Sequence, residues 1–419
     1  MSPPPPPRRG PRPLPLHLGL AMARGMAAMA AIPPSGSGWT NWSAGWPRSK
    51  PAQAEAARIA AALAAGRHPP ERFRAAVLSR LARDDAGMVT GIAAYRRHPW
   101  RRDMPEPPVL WQEGGSRLLD YGGDGPPLLV VPSLINRAWV LDLAPGHSML
   151  RFLAGSGLRV LLLDWGWPGG TERGFSLTDY IAGRLERAMA ALSGLGALLL
   201  AGYCMGGLLA LAAAQRRPDR VRGLALLATP WDFHADGGQA ARQAAALLPA
   251  LEPLMAPSGT IPVDLLQTLF AGIDPFAIAR KFRAFGRLDP ASARAELFVA
   301  LEDWLNDGVP LAAPVARECL GGWYARNEPA RGQWHVAGAA VNPALWAGPT
   351  LVAIPRGDRI VPPDSARALA AALPEKTVLD VPAGHIGMAA GSGAQAALWR
   401  PLLDWAAGVP ARGGGAVGL

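Results

Sequence analysis

Three residue types at three distant points suggest covalent chemistry: a cysteine at 204, an aspartate at 358 and a histidine at 385. Cys204 stands in Leu198-Leu199-Leu200-Ala201-Gly202-Tyr203-Cys204-Met205-Gly206-Gly207, where an apolar strand pattern runs into a Gly-x-Cys-x-Gly turn and then a small-residue helix pattern. This is the layout of a nucleophile elbow, a sharp strand-to-helix turn that lifts one reactive side chain out of the backbone. The neighbours two positions away must be small, which Gly202 and Gly206 satisfy, and Gly207 leaves room for close helix packing. The helix start brings backbone N–H groups and a positive dipole end to Cys204, a field that favours thiolate over thiol. The Met205 N–H would supply half of an oxyanion hole, with a second N–H near Ser133 or Leu134. The plain alternative is a small buried cysteine with a packing role. The two glycines at fixed spacing and the strand-then-helix flank weigh against it.

The other two residues occupy matching positions. Pro349 to Pro355 reads as a buried strand, and Arg356-Gly357-Asp358 follows its end. Lys376 to Val381 reads as the next strand, followed by Pro382-Ala383-Gly384-His385. The order nucleophile, acid, histidine, each on a loop after a strand, is that of the α/β-hydrolase triad. A turn aspartate and a surface-loop histidine are the competing structural uses; Asp364 is the better helix cap of the two nearby aspartates.

The elements that must hold these residues are legible as alternating patterns. Ser116–Tyr121, Pro127–Val131, Leu158–Leu163, Ala197–Ala201 and Val221–Ala228 read as strands, and Thr178–Leu192 as an amphipathic helix. Continuous apolar runs alternating with helices predict a mostly parallel sheet covered on both faces, an α/β fold. Residues 110–230 and 347–408 form the two halves of this core. Between them, 231–346 loses the strand pattern and carries Trp304, Trp323, Tyr324 and Trp334, so it is expected to be a helical cap over the site that excludes water. Upstream, 53–109 reads as a helical extension. The proline- and arginine-rich start within 1–52 is expected to be disordered or loosely ordered, and 409–419 a flexible tail. Leu14 to Ile32 resembles a secretory signal in outline, but His17 and Arg24 interrupt its apolar run, so secretion is not expected.

Composition sets further bounds. The chain has 419 residues, a formal charge of +10, and two cysteines, Cys204 and Cys319, far apart in sequence. A disulfide framework is therefore not expected and a reducing cytoplasm fits, with Cys319 structural. No stretch has the length of an apolar membrane span. The basic excess, as in Arg96-Arg97 and Arg101-Arg102, lacks a nucleic-acid motif and suits a phosphate-bearing ligand or simple solubility. No metal-ligand cluster, cofactor loop or internal repeat stands out, so no cofactor is expected. His147 and His234 are read as structural.

With these residues in view, the chain resembles the polyhydroxyalkanoate synthases, the cysteine branch of the α/β hydrolases, over about Leu110 to Trp405. Besides the elbow, the likeness rests on Val131-Pro132-Ser133-Leu134-Ile135-Asn136-Arg137, Leu141-Asp142-Leu143, Asp164-Trp165-Gly166-Trp167-Pro168, Glu302-Asp303-Trp304-Leu305-Asn306-Asp307, Trp323-Tyr324-Ala325-Arg326-Asn327 and Gly384-His385-Ile386-Gly387. The aromatic Asp-Trp-Gly-Trp-Pro form is similar to that of the shorter, two-subunit synthases. The chain departs from the family in Asp358-Arg359-Ile360, where a histidine usually follows the aspartate, in Pro132-Ser133, where Pro-Pro is usual, and in its proline-rich start.

The resemblance implies polymerisation of 3-hydroxyacyl-CoA thioesters through an acyl group on Cys204, with release of CoA. It implies His385, or Asp358, assisting deprotonation of the incoming hydroxyl. It also implies a growing polyester chain as product, a homodimer or second synthase subunit as partner, and a cytoplasmic location, on or off a polyester granule. Two other readings remain open: a cysteine-dependent esterase, thioesterase or small-molecule acyltransferase of the same fold, and a catalytically inactive granule-associated protein.

Overall fold

The computed structural model describes residues 8–31, 47, 49–66 and 68–410. The expectations for residues 1–7, for the stretch 32–46 and for the tail beyond Pro410 lie outside the described residues. The chain divides into two compact units, one formed by Met1–Trp100 with Asp274–Glu302, the other by Arg101–Ile273 with Asp303–Leu419.

The smaller unit is helical. Its elements include α1 (Leu14–Ala31), α2 (Lys50–Ala65) and α3 (Pro70–Arg97). The start of the chain was expected to be loosely ordered as far as residue 52, yet α1 is a continuous helix. An alanine-, leucine- and methionine-rich stretch without β-branched residues favours that state, and Arg24 is tied to Asp85 of α3. A second difference concerns 274–302, expected to belong to the cap. Its Ala277–Phe285 helix carries Ala279, Phe282 and Phe285 on one face, and these pack with Met88, Ile92 and Tyr95 of α3. At Gly91 of α3 the Phe282 carbonyl comes so close that a β-carbon would collide with it. Tyr95 meets Phe282 edge-on at 5.6 Å, and Arg283 pairs with Asp84 at 2.8 Å. An apolar helical stripe buries against whichever partner offers a matching face, and no sequence periodicity names that partner.

The larger unit is built on an eight-stranded sheet. Its strands are β1 (Val109–Glu113), β2 (Ser116–Gly122), β3 (Pro127–Val131), β4 (Arg159–Asp164), β5 (Leu198–Tyr203), β6 (Val221–Leu227), β7 (Thr350–Pro355) and β8 (Lys376–Val381). The order across the sheet is β1-β2-β4-β3-β5-β6-β7-β8. β2 runs antiparallel to both neighbours, and every pairing from β4 through β8 is parallel. β5, β6 and β7 are buried along their whole length. This is why they read as unbroken apolar runs rather than alternating ones. The stretch Thr178–Leu192, expected as one helix, is a π-helix over Asp179–Leu185 followed by an α-helix over Glu186–Ala191.

Buried charge ties the loops around this sheet. Asp142 of the Leu141-Asp142-Leu143 motif is fully buried and accepts hydrogen bonds from Arg102, Arg151 and Tyr121. Its partners make it a brace rather than a reactive group. Glu172 and Arg184 form a second buried pair at 3.0 Å. Glu172 also accepts the N–H groups of Gly115 and Gly169, which anchors the loop after β4 to the β1–β2 hairpin. Between β6 and β7 the only strands are two-residue pairs, Thr260–Ile261 with Leu311–Ala312 and His335–Val336 with Ala339–Ala340. No helix among the described residues is long and apolar enough to cross a membrane.

Candidate active site

The elbow is set by backbone crowding. β5 ends at Tyr203, and Cys204 takes φ 57° and ψ −129°, a conformation costly for any residue with a β-carbon. Two hydrogen bonds hold it there: Cys204 N–H donates to Leu227 O at 2.8 Å, and Gly207 N–H donates to Cys204 O at 3.0 Å. The helix Met205–Arg216 then starts at once, with ten of its residues buried. A β-carbon at Gly202 would strike Gly207, one at Gly206 would strike the carbonyls of Val131 and Pro132, and one at Gly207 would strike Thr229. The three glycines therefore let the helix wedge between the loops after β3 and β6. Cys204 is half-buried at the positive end of that helix.

Asp358 and His385 lie at the ends of β7 and β8, which pair in register from Thr350↔Lys376 to Pro355↔Val381. The two loops are stitched beyond the sheet by Arg356 N–H to Val381 O and Gly357 N–H to Ala383 O. Asp358 Oδ1 accepts the N–H groups of Ile360 and Val361, at 2.8 and 2.9 Å. Its other oxygen accepts His385 Nδ1–H at 2.6 Å. The Cys204 side chain acts on the same imidazole electrostatically. Both partners of the carboxylate–imidazole bond are buried. Burial alone would lower the histidine pKa. The negative charge at Cys204 and the hydrogen bond to Asp358 outweigh it and raise the pKa to about 10. The structure thus joins His385 to Asp358 by a hydrogen bond, with Cys204 within electrostatic reach of the imidazole.

Two residues in this chain were not picked out by sequence reasoning. Tyr203 was read only as the variable position of the elbow. Its hydroxyl donates to His385 O at 3.0 Å, and its ring lies 5.3 Å from the imidazole. Trp165, in the Asp-Trp-Gly-Trp-Pro stretch, donates its indole N–H to Pro132 O at 2.9 Å. That bond ties the loop after β4 to the loop after β3. In the same loop Ile135 N–H is taken by Ser133 Oγ at 3.0 Å. Leu134, on which the second oxyanion donor was placed, is buried between them, and Met205 is buried at the helix start.

The cap motifs clamp onto the loops that carry these groups. Trp304 donates its indole N–H to Arg137 O at 2.7 Å, and Trp139 donates to Asp307 at 3.0 Å. On the other side, Asn327 donates to Asp232 at 2.8 Å and accepts the Phe233 N–H at 2.9 Å. His234, read as structural, bonds the Tyr324 carbonyl oxygen at 2.8 Å. Cys319 is buried in the cap, where loss of water pushes its thiol pKa upward, consistent with an unreactive sulfur. Among the described residues no cluster of ligating side chains has the makings of a metal site.

Residues 126–391 match the family described as alpha/beta hydrolase fold, and with the strand order and elbow above the chain is a member of that class. The poly(3-hydroxyalkanoate) polymerase subunit PhaC of Allochromatium vinosum is 30% identical over 291 residues, which cover 67% of this chain and 80% of that protein. Its counterpart from Haloferax mediterranei is 29% identical over 309 residues, 71% of this chain and 63% of that protein. Within the α/β-hydrolase class, the chain belongs to the PhaC polymerase family. Among solved structures, an α/β-hydrolase-fold protein from Nakamurella multipartita is similar at 20% identity and a TM-score of 0.45, over 72% of this chain and 98% of that one.

Proposed function

We propose that the protein is an acyltransferase that polymerises 3-hydroxyacyl-CoA thioesters, with Cys204 as nucleophile, His385 as proton carrier and Asp358 as the group that orients and charges His385. The observation that supports this reading is a cysteine at a complete elbow, within electrostatic reach of a buried, hydrogen-bonded imidazole–carboxylate pair. The similarity to poly(3-hydroxyalkanoate) polymerase subunits gives the substrate class.

The thiolate of Cys204 attacks the thioester carbonyl. The oxyanion is held by the Met205 N–H and a donor at Leu134. The bond to the CoA sulfur breaks, and the leaving thiolate takes the proton of the His385 imidazolium. One thioester has replaced another, so the acyl group keeps its reactivity. The 3-hydroxyl of the next acyl unit then attacks the same carbonyl carbon and passes its proton to His385. A carbon–oxygen bond forms, the carbon–sulfur bond breaks, and the thiolate–imidazolium pair is restored. A serine would form an oxygen ester at the first step and leave no driving force for the second. The cap, clamped through Asn327 and Trp304, keeps water from the acyl-enzyme.

On this reading CoA and the polyester chain are the released and retained products. The partner is a second copy or a second synthase subunit, and the location is the cytoplasm or the surface of the polyester granule. The test is incubation of purified protein with 3-hydroxybutyryl-CoA. Release of CoA with recovery of an insoluble polyester is the expected result. Release of CoA with free 3-hydroxybutyrate as sole product would assign a thioesterase instead.

A further inference from the structure

Among the described tryptophans Trp167 alone is exposed, at 48%. The loop that carries it, just after β4, is pinned by backbone crowding. A β-carbon at Gly166 would collide with the Gly115 carbonyl, and one at Gly115 would meet the Trp167 carbonyl at 2.6 Å. The Gly166 and Gly169 N–H groups are held by the carboxylates of Asp164 and Glu172. The indole is therefore presented to solvent on a fixed support. A single exposed apolar ring is common on protein surfaces, so the signal lies in what surrounds this one.

Two guanidinium groups flank it. That of Arg137 lies 5.8 Å from the indole centroid, within cation–π range. Its Nε faces Asp307 at 3.4 Å, and its backbone carbonyl is held by Trp304. Its two terminal nitrogens have no hydrogen-bond partner among the described residues. Arg173 is exposed and reaches the Pro168 carbonyl at 3.5 Å, with no carboxylate partner among the described residues. A fixed aromatic face beside two arginines with donors to spare matches a planar base that carries phosphates. The ring stacks on the base, and the guanidinium forks take phosphate oxygens.

This cluster shares a rim with the nucleophile. β4, β3 and β5 are parallel neighbours. Trp167, three residues past the end of β4, and Cys204, one past the end of β5, therefore stand at the same edge of the sheet. Two strand spacings, about 10 Å, separate β4 from β5. Pro132 lies between the two loops: it accepts the Trp165 indole N–H, and a β-carbon at Gly206 of the elbow helix would strike its carbonyl. Arg137 is on the loop that also carries Leu134.

We infer that Trp167, Arg137 and Arg173 form the subsite for the phosphorylated adenosine end of the CoA thioester. The adenine stacks on the indole, the phosphates meet the guanidiniums, and the pantetheine arm runs along the rim to Cys204. This deepens the acyl-transfer reading above and rests on it for the identity of the ligand.

The experiment uses the full chain as native protein, Trp167→Ala, Trp167→Phe and Arg137→Gln. CoA binding is read by calorimetry. Turnover is read as kcat/KM for 3-hydroxybutyryl-CoA and for the 3-hydroxybutyryl thioester of N-acetylcysteamine, which lacks the nucleotide. In Trp167→Ala, CoA binding and kcat/KM for the CoA ester should both fall roughly 10-fold. The N-acetylcysteamine ester should be used as well as by native protein. Trp167→Phe should recover most of the loss, and Arg137→Gln should weaken CoA alone. Unchanged CoA binding in Trp167→Ala, or no CoA binding by native protein, would overturn the proposal. So would an equal fall for both thioesters, which would assign Trp167 a structural role. CoA binding that depends on Trp167 in a protein that transfers neither acyl group would sink the acyl-transfer reading and leave the subsite standing.

Discussion

The elbow and the cap are specified by different physics. At the elbow, the constraints are backbone against backbone: Gly206 against the Val131 carbonyl, Gly202 against Gly207, Cys204 at positive φ. At the cap, they are side chain against backbone, as in Trp304 on Arg137 O, or side chain against side chain, as in Asn327 on Asp232. A backbone constraint admits one residue type at one spacing. A side-chain clamp admits many solutions. The elbow is therefore built for invariance of the chemistry, and the cap for adjustment of what reaches it.

That contrast can be broken or sharpened by substitution, from the largest expected effect to the smallest. Asp358→Asn keeps the shape of the carboxyl group but removes its charge from His385, and we expect CoA release to fall by roughly 100-fold or more. The same variant tests the proton affinity of the imidazole. His385 holds its proton to about 10 in the native fold, against an ordinary value of 6.5. The native state then binds more protons than the unfolded state between those values. The resulting stabilisation is full below about pH 6.5 and is lost as pH rises through about 10. In Asp358→Asn the loss should begin at lower pH, which urea denaturation midpoints measured across pH would show.

Gly206→Ala should cost about 3 kcal/mol of stability, since the added carbon meets backbone that cannot give way. Chemical denaturation of the larger unit is the measurement, and a loss under 1 kcal/mol would remove the argument from crowding. On the cap side, Asn327→Ala leaves the Phe233 N–H and Asp232 without their partner and should cost about 2 kcal/mol. It should also raise the fraction of acyl groups lost as free acid, because water gains entry, while Cys204 alkylation stays close to native. Tyr203→Phe removes only the bond to His385 O and should cost about 1 kcal/mol, with a change in turnover of a few-fold.

The same contrast explains what could be read from the sequence. Strands β3 and β7 were legible because buried parallel strands are unbroken apolar runs, and the Asp358–His385 pair because the loops after β7 and β8 carry one reactive group each. The three elbow glycines were legible because crowding leaves no other residue. The motif around Asp142 was visible, but its use as a buried brace for Arg102 and Arg151 was not, since the arginines come from separate stretches of chain. Tyr203 and Trp165 were hidden for a similar reason: their partners are backbone carbonyls, which leave no mark in a sequence. The packing of 277–285 with α3 was missed because an apolar stripe announces burial without naming its partner.

The most direct measurement is intact and peptide mass analysis of the protein quenched in acid after brief exposure to 3-hydroxybutyryl-CoA, alongside Cys204→Ala. The account predicts a 3-hydroxyacyl adduct on the peptide containing Cys204, removable by neutral hydroxylamine, and neither adduct nor CoA release in the variant. CoA release that persists in Cys204→Ala, or an adduct that maps to another residue, would contradict it.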